Sequence, residues 1–481
     1  MLSSTYIISF VIGYFCLLFA ISWFTGRKSD NSSFFLANRN APWFVVAYGM
    51  IGASLSGVTF ISVPGWVETS QFSYMQMVIG YMLGYLVIAT VLMPLYYRLK
   101  LTTIYSYLGT RFGAASHKTG AFYFLLSRVI GASFRLYLVA MVLQAFVFDA
   151  WNVPFWATVI VTIGLIWVYT FRGGMRTIIW TDMLQTTFML LAVVLSIGFI
   201  AADMNLGLNG LVTSVSESNF SKMFFFDDFN DKKFFFKQVF SGAFIALAMT
   251  GLDQDMMQKN LSCRNLKDAQ KNMFWFSFIL ILVNLLFLSL GALLYLYAES
   301  HTITIPGKTD QLFPLLALKH FSPIAGAIFI LGLIAAAYSS ADSALTALTT
   351  SYFVDIRKKD EEGERSVWVR YRVHFVFSLI LLVFVIFFQQ LNNDAIIDKL
   401  FKIAQYTYGP LLGLFFFGLF TKRKIKDGMV PLICIAAPVI TYLIDKNAEY
   451  LFGDYQIAYE LLAVNGALTF LGLWLISSKN N

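Results

Sequence analysis

Residues 49–65 read GMIGASLSGVTFISVPG, and they lie inside an apolar segment over residues 42–66. That segment is long enough to cross a bilayer, because a membrane-spanning helix needs about 20 residues. Glycines and small polar residues, among them Ser54, Ser56 and Thr59, weaken the helix halfway along its length. Irregular backbone is tolerated at that depth only where protein buries it or where it lines a cavity. The stretch therefore predicts either an interrupted helix at a binding site or close helix packing through small residues.

The composition of the whole chain is that of a membrane protein. Of its 481 residues, 58% are apolar and only 13% are charged, whereas soluble domains have about 45–50% and about 25%. This composition argues against soluble enzymes, disordered proteins and nucleic-acid-binding proteins. Basic cytoplasmic loops account for the net charge of +8. The three cysteines and four scattered histidines suggest neither a disulfide framework nor a metal cluster.

Thirteen apolar segments predict an all-α membrane protein with about thirteen transmembrane helices in one domain over residues 1–481. Lysine and arginine concentrate in alternate loops, which places the N-terminus outside and the C-terminus inside. Lys259 belongs to one of these basic inner loops. Short loops and the absence of organelle signals favour the inner membrane of a bacterium. The segments lie near residues 5–25, 42–66, 72–97, 119–148, 153–170, 177–201, 236–257, 273–298, 323–354, 372–391, 398–420, 428–446 and 456–477.

Two glycine-interrupted segments indicate an internal repeat. The seventh segment contains Gly242 and Gly251 and follows the interrupted second segment by five. Broken helices in corresponding positions are typical of inverted repeats. We therefore predict repeats of five helices over about 42–201 and 236–420, with one extra helix before them and further helices after them.

Two segments carry acidic residues inside the membrane. Asp182 in the sixth segment needs a cation or a donor as partner, unless it caps the start of a helix. In the ninth segment, Ser339, Asp342, Ser343 and Thr346 have the spacing i, i+3, i+4 and i+7 and therefore share one helical face. Hydroxyl and carboxylate oxygens suit a hard cation. Helix packing through small residues is the alternative for this face.

Over nearly its whole length the chain resembles the sodium/solute symporter family, the group of the sodium–glucose cotransporters. That resemblance implies one extra first helix followed by a LeuT-type five-plus-five inverted repeat. Four motifs carry it, and each is weak alone. They are Gly173-Gly174 with Trp180 to Gln185, Gly251 to Gln254 with Gln258 to Leu261 and Ala269-Gln270, Asp310 to Pro314, and Ser339-Ser340.

The resemblance implies a sodium site where the second segment meets the ninth. By position, its ligands are the backbone carbonyls of Gly52, Leu55 and Ala336 and the hydroxyls of Ser339 and Ser340.

Some members of the family hold a second Na⁺, and that site corresponds here to Asp182, Ser339, Asp342 and Ser343. Asp342 departs from these two-sodium members, in which a hydroxyl is common at this position. Two neighbouring acids repel each other unless a cation lies between them or one of them is protonated. We therefore expect a second Na⁺ or a proton at this place.

Substrate in such a fold binds between the two interrupted helices. Candidate contacts are Ser54, Ser56 and Thr59 on the second segment, Gln76 on the third and Asn284 on the eighth.

Two arginines, Arg128 and Arg135, lie seven residues apart on one face of the fourth segment. An arginine there, with Arg135 as the candidate, is able to bind a carboxylate through two hydrogen bonds, as happens in sialic-acid transporters of this family. The alternatives are an ion pair with Asp149 or with another helix, or a side chain that reaches the membrane interface.

These features predict a Na⁺-coupled symporter that imports a sugar, a polyol, sialic acid or a small carboxylate by alternating access. Its partners are the solute, Na⁺ and the lipid bilayer, without nucleic acid or an obligate protein partner. The sequence suggests no nucleophile–base pair, so we do not expect an enzyme. A proton-coupled carrier of the same fold is the first alternative, and a membrane sensor or channel is the second.

Overall fold

A computed structural model describes residues 4–27, 30–357, 364–390 and 396–478; the other residues of the predicted domain lie outside the described part. The described chain is helical, apart from an antiparallel pair of two-residue strands, β1 (Lys424–Ile425) and β2 (Ser477–Ser478). Its α-helices are α1 (Ser4–Gly26), α2 (Asn31–Leu36), α3 (Trp43–Ser70), α4 (Tyr74–Val87), α5 (Met93–Arg98), α6 (Ser106–Arg111), α7 (Ala114–Leu143), α8 (Phe155–Thr170), α9 (Met175–Asp203), α10 (Leu208–Ser216), α11 (Phe235–Ala246), α12 (Gln254–Leu261), α13 (Leu266–Ser300), α14 (Leu312–Leu315), α15 (Pro323–Ser351), α16 (Glu364–Gln390), α17 (Ile396–Phe420), α18 (Val430–Lys446), α19 (Ala448–Phe452) and α20 (Leu461–Leu475).

Every predicted apolar segment coincides with a helix or a bent pair of helices. Within the described residues, ten helices are long and apolar enough to cross a membrane, and the bent pair Phe235–Gly251 and Gln254–Leu261 makes an eleventh. The apolar helices α8 and α20 are shorter, with 16 and 15 residues. The multi-pass helical fold is therefore confirmed, whereas the count of thirteen crossings stays a prediction.

Helices α3 and α15 form the centre of the molecule, and other helices expose an apolar face. Within the apolar windows of α3 and α15, 83% and 89% of the residues are buried. By contrast, Phe24 on α1, Trp368 on α16 and Leu432 on α18 are exposed. Apolar side chains at the periphery are suited to contact lipid, since lipid tails are as apolar as leucine.

Helix packing follows a reciprocal pattern. Helix α4 packs along α11 while α13 packs along α3, and α9 packs along α15 while α17 packs along α7. Such pairs arise when two repeats of five helices are related by a two-fold axis. The bounds 42–201 and 236–420 stay a prediction, and the reciprocal contacts support them.

The helix α3 is interrupted where its sequence predicts. Ser56 has φ 49° and ψ 169°, whereas the helix continues on both sides. A positive φ is costly for a residue with a β-carbon. The surrounding packing therefore maintains the break, and the carbonyls of the preceding turn lose their helical donors.

The second interrupted helix bends by 65° between α11 and α12. Asp253 caps α12, because its side chain accepts from the backbone N–H groups of Asp255 and Met256. All eight residues of α12 are buried, which corrects the assignment of Lys259 to a loop. Polar side chains are buried there because each meets a partner from another element; Gln258, for example, donates to the carbonyl of Phe35 at 2.6 Å.

The strain at Ser56 gives a testable prediction. Replacing Ser56 by glycine should stabilise the protein by about 1 kcal/mol, since glycine adopts positive φ without a steric penalty. Replacing Ser62, which lies in a regular part of α3, by glycine should instead destabilise it by about 0.5 kcal/mol. Thermal unfolding of the purified protein without solute measures both changes. A loss of stability in both variants would contradict the strain at Ser56.

Candidate functional site

A cavity lies beside the break in α3. Helices α3, α4, α7, α11 and α13 contribute to its wall. Of the predicted substrate contacts, Ser54, Ser56, Thr59, Arg135 and Asn284 line this cavity.

Gln76 lies outside the cavity, and the prediction for this residue is wrong. Its Nε2 donates to the carbonyl of Lys233 at 2.8 Å, and its Oε1 accepts from the backbone N–H of Phe225 at 3.0 Å. Gln76 therefore anchors the segment before α11 against the first turn of α4. Because Gln76 lies close to the start of α4, loop backbone approaches it and forms hydrogen bonds with both the nitrogen and the oxygen of its amide.

Three tyrosines of α4 line the cavity and were not predicted. Tyr74, Tyr81 and Tyr85 all contribute to its wall, and the hydroxyl oxygens of Tyr74 and Tyr81 are 3.3 Å apart. Their spacing of seven and four residues puts them on one helical face. That periodicity is the signal in the sequence that would have identified them.

The two arginines of α7 differ in their partners, although both line the cavity. Arg128 forms an ion pair with Asp255, and its Nη1 lies 3.7 Å from Asp253 Oδ2. It is thus paired with the second interrupted helix, while Asp149 accepts from a glutamine instead. In the described part of the chain, no carboxylate oxygen forms an ion pair with Arg135, and its Nε is buried without a hydrogen-bond partner.

Oxygen atoms from two helices converge where α3 crosses α15. Ser340 Oγ donates to the carbonyls of Ala53 at 3.4 Å and of Ala336 at 3.5 Å. Both distances are long for O–H···O bonds. The break at Ser56 frees neighbouring carbonyls in the turn of Ala53. This set of hydroxyl and carbonyl oxygens suits a hard cation.

The other residues implied for the first sodium site lie around this crossing. Leu55 lines the cavity. Gly52 donates its backbone N–H to Thr186 Oγ1 at 3.2 Å, and a β-carbon on Gly52 would overlap the Thr186 side chain. Gly52 is thus required for the close approach of α3 to α9.

Asp182 has a protein cation as its partner. Lys259 Nζ donates to Asp182 Oδ2 at 2.6 Å, and Ser339 Oγ donates to Asp182 Oδ1 at 2.7 Å. The side chains of Lys259 and Asp182 are only 2% and 1% exposed. The alternative that Asp182 caps a helix is wrong, because α9 begins at Met175, two turns earlier. The sequence carries no signal that pairs residues 182 and 259.

Asp342 uses different partners from Asp182. Its Oδ2 accepts from the Tyr169 hydroxyl at 2.8 Å and from Gln185 Nε2 at 3.5 Å, whereas its Oδ1 is buried without a partner. Ser343 Oγ is also buried and unpartnered. Of the two acids expected at the second cation site, Asp182 is thus paired with Lys259, whereas Asp342 has one oxygen without a hydrogen-bond partner.

The buried ion pair gives a second prediction. Replacing Lys259 by methionine leaves Asp182 as an uncompensated buried charge and should lower the free energy of unfolding by about 3–5 kcal/mol. Adding Asp182→Asn to that variant should recover part of the loss. Chemical denaturation in detergent measures these changes.

The ion pair of Lys402 and Asp445 serves as the control, since its lysine is 58% exposed. Replacing Lys402 by methionine should change the free energy of unfolding by less than about 1 kcal/mol. Equal effects of the Lys259 and Lys402 substitutions would contradict a structural role for the buried pair.

Known proteins resemble this chain in sequence and in fold. The model of the "Sodium:solute symporter family" matches residues 34–433. The putative sodium-dependent multivitamin transporter of Drosophila melanogaster is 24% identical over 94% of this chain and 82% of its own length. The sodium/sialic acid symporter NanT of Aliivibrio fischeri is 23% identical over 92% of this chain and 88% of its own.

Among solved structures, a Na⁺-coupled sialic acid symporter in a substrate-bound outward-open state superimposes with a TM-score of 0.83. The two are 19% identical, and the match covers 98% of this chain and 99% of that one. This likeness confirms the LeuT-type fold. The chain belongs to the sodium:solute symporter family, and it is a multi-pass membrane protein that transports a small solute together with Na⁺.

Proposed function

We propose that the solute is a small organic anion whose carboxylate binds Arg135. The observation that carries this proposal is the contrast between the two arginines of α7, since Arg128 has carboxylate partners and Arg135 has none in the described chain. A buried charge is costly unless it is paired. A carboxylate in the cavity compensates the guanidinium and accepts two parallel hydrogen bonds from it.

The remaining wall supports a hydroxylated body on this anion. Ser54, Thr59 and Tyr74 offer hydroxyl groups to the cavity. Asn284 adds an amide whose Oδ1 is buried and unpartnered. Sialic acid, the substrate named for the A. fischeri relative, combines a carboxylate with several hydroxyl groups. We therefore place a sugar acid ahead of a neutral sugar or polyol.

We further propose that one Na⁺ binds where α3 crosses α15. Its ligands are Ser340, the carbonyls of Ala336 and of the turn from Gly52 to Leu55, and the oxygen of Ser339. Support comes from the three converging oxygens of Ser340, Ala53 and Ala336. An ion there bridges the interrupted helix and α15, and it therefore favours the state in which the solute cavity is assembled.

The Na⁺ gradient and the membrane potential set the direction of transport, and we propose an orientation with the N-terminus outside and the C-terminus inside. In a bacterial inner membrane the potential supplies about 2.3 kcal/mol per charge per 100 mV. Na⁺ entry therefore drives solute uptake. The alternation of basic loops supports this orientation.

The role of Arg135 can be tested by uptake. Arg135→Ala should abolish uptake of an acidic solute into proteoliposomes, because the solute carboxylate loses the guanidinium that binds it. Na⁺ binding to the same purified variant should be unchanged. Arg135→Lys keeps the charge but not the paired hydrogen bonds, so it should retain weak uptake.

A control separates this role from a general effect on folding. Arg128→Ala leaves two buried aspartates without their partner and should lower the melting temperature, whereas Arg135→Ala should not. Undiminished transport of sialic acid and of a panel of carboxylates by Arg135→Ala would contradict the proposal.

The sodium site can be tested at Ser340. Ser340→Ala removes one oxygen ligand and should raise the Na⁺ concentration for half-maximal uptake about tenfold or more, which corresponds to about 1.4 kcal/mol. Ser340→Thr keeps a hydroxyl and should stay closer to the native value. If Ser340→Ala had the native Na⁺ dependence, the ion would have to bind elsewhere.

A further inference from the structure

Three arginines lie together where the end of α1 meets the start of α9. A β-carbon on Gly26, the last residue of α1, would lie 3.5 Å from the β-carbon of Arg172, and Arg27 follows Gly26 directly. Arg176 belongs to the first turn of α9, four residues after Arg172. Arginines from two helices that are distant in sequence therefore share one edge of the molecule.

This edge carries positive charge. In the part of the chain that the structure describes, no carboxylate forms an ion pair with Arg27 or Arg176. Asp182, the next acid along α9, is bound to Lys259 at 2.6 Å. The side chain of Asp30 caps α2 instead, by accepting from a backbone N–H group. The arrangement is therefore suited to an anion.

An exposed tryptophan lies one helical turn from an arginine on each of the two helices. Trp23 is 58% exposed and Trp180 is 39% exposed. The guanidinium of Arg27 lies 5.3 Å from the centre of the Trp23 ring, and Trp180 follows Arg176 by four residues and so shares its helical face. Tryptophan is enriched where the acyl chains of a membrane meet the head groups. The edge therefore lies at the level of the lipid phosphates.

Helix α1 has few buried residues to hold it in place. Only 17% of the residues in its apolar window are buried, against 83% in α3. Polar contacts attach it to the rest of the molecule at this same end: Ser22 Oγ donates to the carbonyl of Tyr169 at 2.6 Å, and the hydroxyl oxygens of Thr25 and Thr177 are 2.7 Å apart. A ligand that binds the arginines of both helices would strengthen this attachment.

We propose that an anionic phospholipid binds where α1 meets α9, with its phosphate on Arg27, Arg172 and Arg176 and its acyl chains along Trp23 and Trp180. Arginine binds phosphate through two parallel hydrogen bonds, and basic pockets between membrane helices bind lipid head groups. The exposed tryptophans favour a lipid over a soluble phosphate, since they offer an apolar surface to the acyl chains. The inference goes beyond the transport of the solute and Na⁺, and it gives α1 a lipid-dependent attachment.

Lipid binding to the purified full-length chain tests this site. Phosphatidylglycerol should bind and raise the melting temperature, whereas phosphatidylcholine, which has no net charge, should do neither at the same concentration. Each of Arg27→Gln, Arg172→Gln and Arg176→Gln should weaken the binding of phosphatidylglycerol about fivefold, and the triple variant about a hundredfold. Native mass spectrometry of the protein in detergent measures the bound lipid.

A matched control removes the same charge elsewhere. Arg264→Gln, Lys267→Gln and Lys271→Gln together change three exposed basic residues at the start of α13, and this variant should bind phosphatidylglycerol like the native protein. If the triple arginine variant fails to fold, Arg27→Gln decides the question alone, because Arg27 is exposed and its loss leaves the packing unchanged.

Three outcomes would overturn the lipid site. They are equal binding of phosphatidylglycerol and phosphatidylcholine, native affinity in the folded arginine variants, and an equal loss of binding in the control, which assigns the binding to general charge attraction. Displacement of the lipid by inorganic phosphate would also overturn it, since the arginines would then bind a soluble anion. Uptake of the acidic solute is measured separately and does not depend on these outcomes.

Discussion

The buried ion pair between Asp182 and Lys259 connects the parts of the molecule that must work together. Asp182 belongs to α9, Lys259 to the second half of an interrupted helix, and Ser339, which donates to the same carboxylate, to α15. An acid at this depth is costly without a cation. Because that cation is a side chain, the charge of Asp182 is compensated whether or not an ion is bound. Ser339 also belongs to the proposed first sodium site, so this site and the ion pair share an atom.

The solute cavity contains two buried arginines, and the described chain supplies carboxylate partners for only one of them. Arg128 and Arg135 stand on one face of α7, but only Arg128 has carboxylate partners in the described chain. These partners, Asp253 and Asp255, lie at the bend where the second interrupted helix starts again. In the proposed function, the guanidinium of Arg135, which has no carboxylate partner in the described chain, gives the cavity its preference for an anion.

The position of the interrupted helices was readable from the sequence, since glycine and small polar residues inside an apolar segment are costly unless the backbone is irregular there. The break at Ser56 and the bend before α12 confirm that reasoning. The shared face of Arg128 and Arg135 on α7 also followed, because spacing determines which side chains share a face. The prediction of Gln76 as a substrate contact was wrong because a loop that is distant in sequence covers this residue and forms hydrogen bonds with its amide.

Length, hydropathy and local polarity by themselves determined the membrane class, the placement of the apolar helices and several polar residues of the cavity wall. These properties act within a segment of about 20 residues, so neighbouring positions carry the information. Only the tertiary structure decided which charges neutralise each other. Lys259 reads as a loop residue along the chain, yet folding places it on Asp182, 77 residues away. Electrostatic partners are set by distance in space, and the packing of helices that are remote in sequence determines that distance.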